Sequence, residues 1–305
     1  PDIISLGVYD QTVNESILTD LLPFFREDEL GSLRAPALQR AMSDGHMYAL
    51  PWMMGCYGLY VNMDAVLAAE LESVPEKLNI TFLDEMARKL SFQKKSGRKT
   101  ISHFGFVTYS NISSRPMLSM ILPQNGKISN NSGYEVLQSW ANEQGILPSG
   151  IINMSYSQAF SLLAIENRAG IMLGNSKVLF DLRRLQESGK GINYKVYPLP
   201  LDEDTGFYID QVAAYGLIKQ DNSDKEQLCI LFLKSLLDQE MQSRLNELGM
   251  FSVLNDIQLY SDDPEMEMLE LSLDNIVLTP FGNGRYDAQA MWESLEAGLG
   301  KSEAD

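Results

Sequence analysis

The sequence predicts an α/β protein of about two domains. Short β-rich runs alternate with amphipathic helical stretches along the chain. Three segments, Thr81-Phe82-Leu83-Asp84, Ser155-Tyr156-Ser157-Gln158 and Ser223-Asp224-Lys225-Glu226, place a hydroxyl three residues ahead of an acid or amide, the form that opens a helix. No internal repeat or low-complexity segment interrupts the alternation. With 305 residues, 45% of them hydrophobic, the chain can bury a real core.

Each element has a local reason. Asp2 to Val8 (DIISLGV) reads as a buried strand. Ser16 to Phe25 reads as a short helix followed by a proline turn, and Ser32 to Ala41 as another helix. Tyr48-Ala49-Leu50-Pro51 is extended, because the residue before proline avoids the helical region. Gly58 to Asn62 is a strand that runs on into a helix over Met63 to Leu71. The Thr81 capping box opens a helix to Leu90. Phe104 to Val107 is a strand, and Arg115 to Leu122 and Gly133 to Glu143 are helices. The helix opened at Ser155 carries Phe160, Leu163 and Asn167 at helical spacing. Gly170 to Leu173 is a buried strand ended by Gly174. Tyr194 to Pro198 and Val212 to Ile218 are strands. Behind the Ser223 box, Leu228, Phe232, Leu236, Met241, Leu245 and Leu248 form an apolar stripe, and Gly249 ends it as a left-handed cap. The remainder is a helix over Met266 to Leu273, a turn over Thr279 to Gly284 and a last helix over Asp287 to Leu299.

Charge excludes several classes. There are 24 basic and 41 acidic side chains, a formal charge of −17, which repels phosphate backbones and disfavours anionic membrane surfaces. No nucleic-acid partner is expected. No apolar run approaches the roughly 20 residues that span a bilayer. Cys56 and Cys229 form no CxxC, and His46 and His103 stand alone, so neither a metal site, a cofactor nor a Ser-His-Asp triad is expected. Most of the 15 methionines fall at core positions, as gap-fillers do.

Six segments in order resemble one family. They are Pro1-Asp2-Ile3-Ile4; Tyr48 to Pro51 with Gly58-Leu59-Tyr60-Val61-Asn62; Val74-Pro75-Glu76 with Thr81 to Glu85; Phe160 with Gly170-Ile171-Met172-Leu173-Gly174; Tyr197-Pro198-Leu199-Pro200; and Val212 to Lys219 with Leu231 to Leu236. Together they resemble extracellular solute-binding proteins of the carbohydrate class, the receptors of ABC importers related to maltose-binding protein. The resemblance implies a two-lobed, type II periplasmic-binding-protein-like α/β fold, each lobe a mixed sheet flanked by helices, with ligand held between lobes joined by crossovers. Lobe one is expected over 1–53 plus 212–251 and lobe two over 54–211 plus 252–305. It implies no catalysis: a sugar or oligosaccharide is captured and handed to the membrane permease by an extracytoplasmic, monomeric receptor. Family members carry a signal peptide and further strands before the first matching strand, so lobe one is expected to be incomplete at its N-terminus.

Ligands of open α/β sheets sit outside the carboxyl ends of strands, which marks Tyr9 and Asp10 after the first strand as stacking and hydrogen-bonding candidates. At the first crossover Trp52 reads equally as core or ligand contact, and Tyr57 is the better candidate. Asn175 and Ser176 follow a strand end; Ser176 stands where carbohydrate receptors often carry a tryptophan, which points to a smaller or more polar ligand. Tyr208 and Asp210 occupy the second crossover, where the family usually has glycines, and Phe251 the third. Tyr286 precedes the last helix. Other functions remain open: acidic groups such as Asp10 and Asp210 would suit a polyamine or peptide on the same fold, a paired carboxylate would suit a glycoside hydrolase, and a surface lectin would bind without changing lobe angle.

Overall fold

Leu50–Asn62 is the longest strand, and its sequence, LPWMMGCYGLYVN, is apolar almost throughout. That is the composition of a strand covered on both faces, and only Trp52 and Met53 within it retain partial exposure. The structure is a computed structural model that describes residues 1–6, 16–71, 74–76, 78–109, 136, 138–140, 143, 145–200 and 206–276. Its strands are β1 (Ile3–Leu6), β2 (Met42–Ser43), β3 (His46–Met47), β4 (Leu50–Asn62), β5 (Phe92–Ser96), β6 (Lys99–Val107), β7 (Ala169–Asn175), β8 (Tyr194–Tyr197), β9 (Leu199–Pro200), β10 (Gly206–Phe207) and β11 (Ile209–Leu217). The described residues divide into two compact units, 1–56 with 210–276, and 57–209, so that both boundaries fall inside strands, β4 and β11. The expected helices over 115–122 and 287–299, the turn over 279–284 and most of the helix over 133–143 lie outside the described residues.

In the first unit β1 pairs antiparallel with β11, Ile3 opposite Leu217 and Leu6 opposite Ala214, and β11 neighbours β4. The helix expected over Ser16 to Phe25 does not form. Leu18 instead bridges Ile218, the Thr19 N–H donates to the Leu217 carbonyl, and only Leu22–Phe24 make a 3-10 turn. The reason is that Asp20 accepts the Leu22 and Met47 N–H groups at 3.1 and 3.0 Å, a side-chain competitor to helical bonding. Leu21, Phe25, Met47, Leu50 and Leu217 then close over Ile230, Leu233 and Leu236.

The long helix expected behind Ser223 is shorter and starts one residue earlier. Asn222 caps Ser223–Ser235 through the Asp224 and Lys225 N–H groups; the chain then breaks, and Gln239–Ser243 and a 3-10 turn at Leu245–Leu248 follow. Gly249 ends them in the left-handed region at φ +70°. Because the axis changes, the expected stripe is split. Leu236 and Leu245 are buried, whereas Leu228, Phe232, Met241 and Leu248 are exposed.

Residues 252–276, assigned from sequence to the second lobe, pack in the first unit. Arg34, almost fully buried, donates to the Ser252 carbonyl at 3.1 Å and pairs with Asp274 at 2.9 Å. Met54 and Phe251 exchange backbone hydrogen bonds of 2.9 and 2.8 Å. The carboxylate of Glu270, on the helix Pro264–Ser272, accepts the Leu259 and Tyr260 N–H groups.

In the second unit the order is β8-β4-β7-β6-β5. β4 runs antiparallel to both β7 and β8, and β6 runs parallel to β7. β5, which the sequence reading missed, forms a hairpin with β6 about Gly97. Gly105 lets the helix Ile80–Lys89 lie directly on β6: a Cβ there would stand 1.9 Å from the Ala87 carbonyl oxygen. That helix is capped by Asn79 rather than Thr81. Asp84, the last residue of the proposed capping box, instead accepts the buried Trp140 indole N–H at 2.7 Å and pairs with Arg88. The Ser155 box does form, over Tyr156–Phe160, and the chain widens into a π-turn at Ser161–Ile165. Asn62, fully buried, caps Met63–Ala68 and donates to the Asn167 side chain and the Ala169 carbonyl. No described helix is long and apolar enough to cross a membrane.

Two outcomes follow from this packing. Gln242 is fully buried and makes four hydrogen bonds, to Trp52, Leu236, Ser252 and Val253. Gln242→Ala strands those partners and lowers stability by about 2–5 kcal/mol, read by urea unfolding. Burial pushes the Asp20 carboxyl up, but hydrogen bonds from His46, Met47 and Leu22 outweigh it and hold the group below its ordinary 3.8. Its stabilisation is therefore complete above that value and is lost as pH falls through the depressed folded value. The deficit of Asp20→Ala, about 1–3 kcal/mol at neutral pH, shrinks in acid when both proteins are unfolded in parallel.

Candidate functional site

Strand direction gathers the chemistry of the second unit at one sheet end. β6, β7 and β8 run the same way, and their carboxyl ends are Val107, Asn175 and Tyr197; β4, running oppositely, enters this unit at Tyr57. Ligand sites of such sheets lie beyond those ends. Tyr57 stands opposite Asn175, and Gly58 opposite Gly174. Neighbouring pairs point to opposite faces, so Tyr57 and Asn175 share one face and the two glycines the other.

The glycine face is shaped by rings. Tyr208, partly exposed, lies over Gly58, where a Cβ would meet its Cε1 at 3.0 Å. A Cβ on Gly174 would meet Val178 at 2.5 Å and Tyr109 at 3.5 Å. Tyr109 follows β6, and its hydroxyl accepts the Asn175 N–H at 3.3 Å. Its edge meets the Tyr156 ring at 5.2 Å, and Tyr156 stacks on Phe160 at 5.7 Å. The Tyr156 hydroxyl donates to Asp181 at 2.6 Å, and Lys177 reaches the same carboxylate while lying 5.1 Å from the ring. Burial pushes both phenols up, and for Tyr156 the Asp181 carboxylate adds to it, so both are neutral hydroxyls at physiological pH.

Asn175 joins β7 to the helix Ser176–Glu187, a helix absent from the sequence reading. Its side chain caps nothing, and its buried Oδ1 accepts no hydrogen bond among the described residues. An orphaned acceptor costs about 1–3 kcal/mol until a donor reaches it. Tyr60 donates to the Asn175 carbonyl at 2.9 Å and anchors the junction. Ser176, one residue on, is fully buried.

The sequence-derived candidates thus separate. Tyr57, Asn175, Ser176 and Tyr208 all lie in the second unit, Tyr57 and Asn175 on one sheet face and Tyr208 over the other. Tyr57 is nearly fully buried, so in this form it presents little surface. Trp52 and Phe251 belong to the first unit. Trp52, partly exposed, stacks on Tyr215 at 5.6 Å and packs against the core. Phe251 is fully enclosed, edge-on to Tyr260 at 5.2 Å. Asp210 lies in β11 at the unit boundary. Tyr9, Asp10 and Tyr286 lie outside the described residues. Tyr109 and Tyr156 were missed, although the rule that selected Tyr9 also selects Tyr109, two residues past a strand end. Burial raises the Cys56 thiol to about 12, leaving it inert as a nucleophile. Among the described residues, no group of three or more His, Cys, Asp or Glu could hold a metal ion.

No protein-family model and no curated protein matches the sequence. Solved structures do match. The maltose-bound MalE3 of T. maritima is 17% identical, with a TM-score of 0.73 over 99% of this chain and 80% of its own. An ABC substrate-binding protein from Listeria monocytogenes, in complex with cycloalternan, is 17% identical at 0.69 over 100% and 83%. MalE of Bdellovibrio bacteriovorus, a maltose/maltodextrin-binding domain bound to maltotriose, is 14% identical at 0.70 over 100% and 80%. At such identities the likeness is one of fold. The chain has the type II periplasmic-binding-protein fold, built of two α/β lobes.

The contact between Tyr208 and Gly58 is open to a double-mutant cycle. Gly58→Ala forces the ring away and costs about 1–3 kcal/mol. In a Tyr208→Ala background the same change costs less, by a coupling of about 0.5 kcal/mol or more in urea unfolding; additivity would separate the two residues.

Proposed function

We propose that the chain is the substrate-binding receptor of an ABC importer, and that its ligand is a sugar or an oligosaccharide. The observation that carries this reading is the fold, matched along 99–100% of the chain by proteins that bind maltose, cycloalternan and maltotriose. The second unit adds suitable chemistry. Tyrosine faces stack on the C–H faces of pyranose rings while their hydroxyls and an unsatisfied amide oxygen bond to sugar hydroxyls. Tyr57, Tyr208 and Asn175 are the contacts proposed there, with Ser176 shaping the strand-to-helix junction. Trp52, Asp210 and Phe251 in the first unit, and Tyr9, Asp10 and Tyr286, complete the proposed set.

The mechanism is selection of a closed form. A ligand that touches both lobes binds the closed arrangement more tightly than the open one and shifts the population by that difference. The closed form is what the membrane permease reads. The receptor works as an extracytoplasmic monomer, returns its ligand unchanged, and makes or breaks no bond.

A thermal-shift screen tests the reading with maltose, maltotriose, cycloalternan, mannobiose, spermidine and an aryl glycoside. A saccharide at about 100 times its Kd stabilises the protein by about 2.7 kcal/mol, a rise in Tm of several degrees. Tyr208→Ala and Asn175→Ala abolish the rise without lowering the ligand-free Tm by more than about 2 °C. A response to spermidine with none to any saccharide would transfer the fold to amine capture, and release of the aryl group would make the protein an enzyme.

A further inference from the structure

The net charge of −17 conceals a strong local asymmetry. Between Glu85 and Glu135 the sequence contains no Asp or Glu but holds eight of the 24 Lys and Arg residues. Four of them, Lys94, Lys95, Arg98 and Lys99, fall within six positions at the tip of the β5–β6 hairpin. All four are exposed, and none pairs with an acid among the described residues.

The register makes the hairpin project. β6 meets β7 only from Phe104 onward, opposite Ala169, whereas Lys99 to His103 pair, among the described residues, with β5 alone. Five strand residues span about 16 Å, roughly twice the Debye length of about 8 Å at physiological ionic strength. The tip cations can therefore meet a charged surface while acids at the hairpin base are screened from it. One face also carries apolar groups. Alternation places Phe92 and Lys94 on the same side as their register partners His103 and Ile101, with Lys99 beside them at the turn. Phe92, 36% exposed, stacks on His103 at 4.3 Å.

We propose that this hairpin docks the second unit on an anionic phospholipid surface, its four cations in the headgroup layer. Lysine on an edge strand also protects against strand addition, which accounts for Lys94 and Lys95. The same protection extends to Lys99, whose strand has no partner on its other side there among the described residues, but not to Arg98 in the turn. A planar surface fits better than a nucleic acid. A projecting tip touches a plane at one point, whereas a long polyanion must also pass the acidic remainder of the chain. The proposal is independent of the sugar-receptor reading.

Vesicle flotation of the intact chain tests it. The protein binds vesicles of phosphatidylcholine with about 30% phosphatidylglycerol at about 0.05 M salt, does not bind phosphatidylcholine alone, and is released at about 0.5 M salt. Neutralisation at Lys94→Gln, Lys95→Gln, Arg98→Gln and Lys99→Gln weakens partition about fivefold per residue and roughly a hundredfold or more together. The thermal unfolding of the variant, and its Tm shift with any saccharide the wild type binds, are unchanged. Failure of the wild type to float at low salt would overturn the proposal. So would equal flotation of the quadruple variant, or retention on duplex DNA without flotation.

Discussion

The first unit depends on one amide. Gln242 donates through Nε2 to the carbonyls of Trp52 and Leu236, both at 2.7 Å, and accepts through Oε1 from the Ser252 hydroxyl at 2.7 Å and the Val253 N–H at 3.1 Å. A glutamine amide has two N–H donors and two acceptor lone pairs, and all are used. A single side chain fastens the start of β4, 190 residues away, to two segments that flank it in sequence, the end of the Ser223–Ser235 helix and the segment after Gly249. Ser252 extends the network by accepting the Leu254 N–H at 2.9 Å. In a buried site each of these groups would be costly alone. That constraint turns the chain at Gly249 and brings Phe251 against Met54, and it keeps residues 252–276 in the first unit.

The second unit is organised by backbone approach. Gly105 admits a helix onto β6, Gly170 admits Leu90, and the Gly58–Gly174 pair admits rings and a helix on one face. Close packing at these points fixes which strand ends lie side by side, and with them the positions of Tyr109, Asn175 and Tyr208. The chemistry of the candidate site thus follows from where side chains are missing as much as from where they are present. The orphaned Asn175 Oδ1 sits at the join of strand and helix, held there by Tyr60 and Tyr109 rather than by any bond of its own side chain.

Strands were legible in the sequence because their signals are local. β7, β8 and β11 each lie within two or three residues of the expected runs, and Ser155 and Gly249 end their elements as composition dictates. Helices were less legible where distant partners intervene. Asp20 diverts an apolar run into an extended bridge by binding Met47, 27 residues away. Asn79 and Asn222 take the cap from Thr81 and Ser223, hydroxyl residues that also had an acid three positions on. β5 has the polar sequence FQKKS, which carries no apolar alternation and pairs only because β6 supplies a partner. Of the candidate site, the strand-end position pointed to Asn175 and the crossover position to Tyr57. The crossover positions of Trp52 and Phe251 do not reveal how far either is enclosed, because enclosure depends on what packs over a residue.

Charge illustrates the same distinction between sums and positions. The total of −17 governs the field far from the molecule and argued against anionic surfaces. Contact is governed by charges within about a Debye length of the touching atoms. Along this chain acids and bases are not mixed evenly: the stretch between Glu85 and Glu135 is wholly without acids, so the rest of the chain is more acidic than the total implies. A hairpin that extends past the β6–β7 ladder lifts part of that stretch away from its neutralising surroundings. The register of two strands, invisible in composition, therefore decides whether a basic run is screened on the unit's surface or presented to whatever the protein approaches.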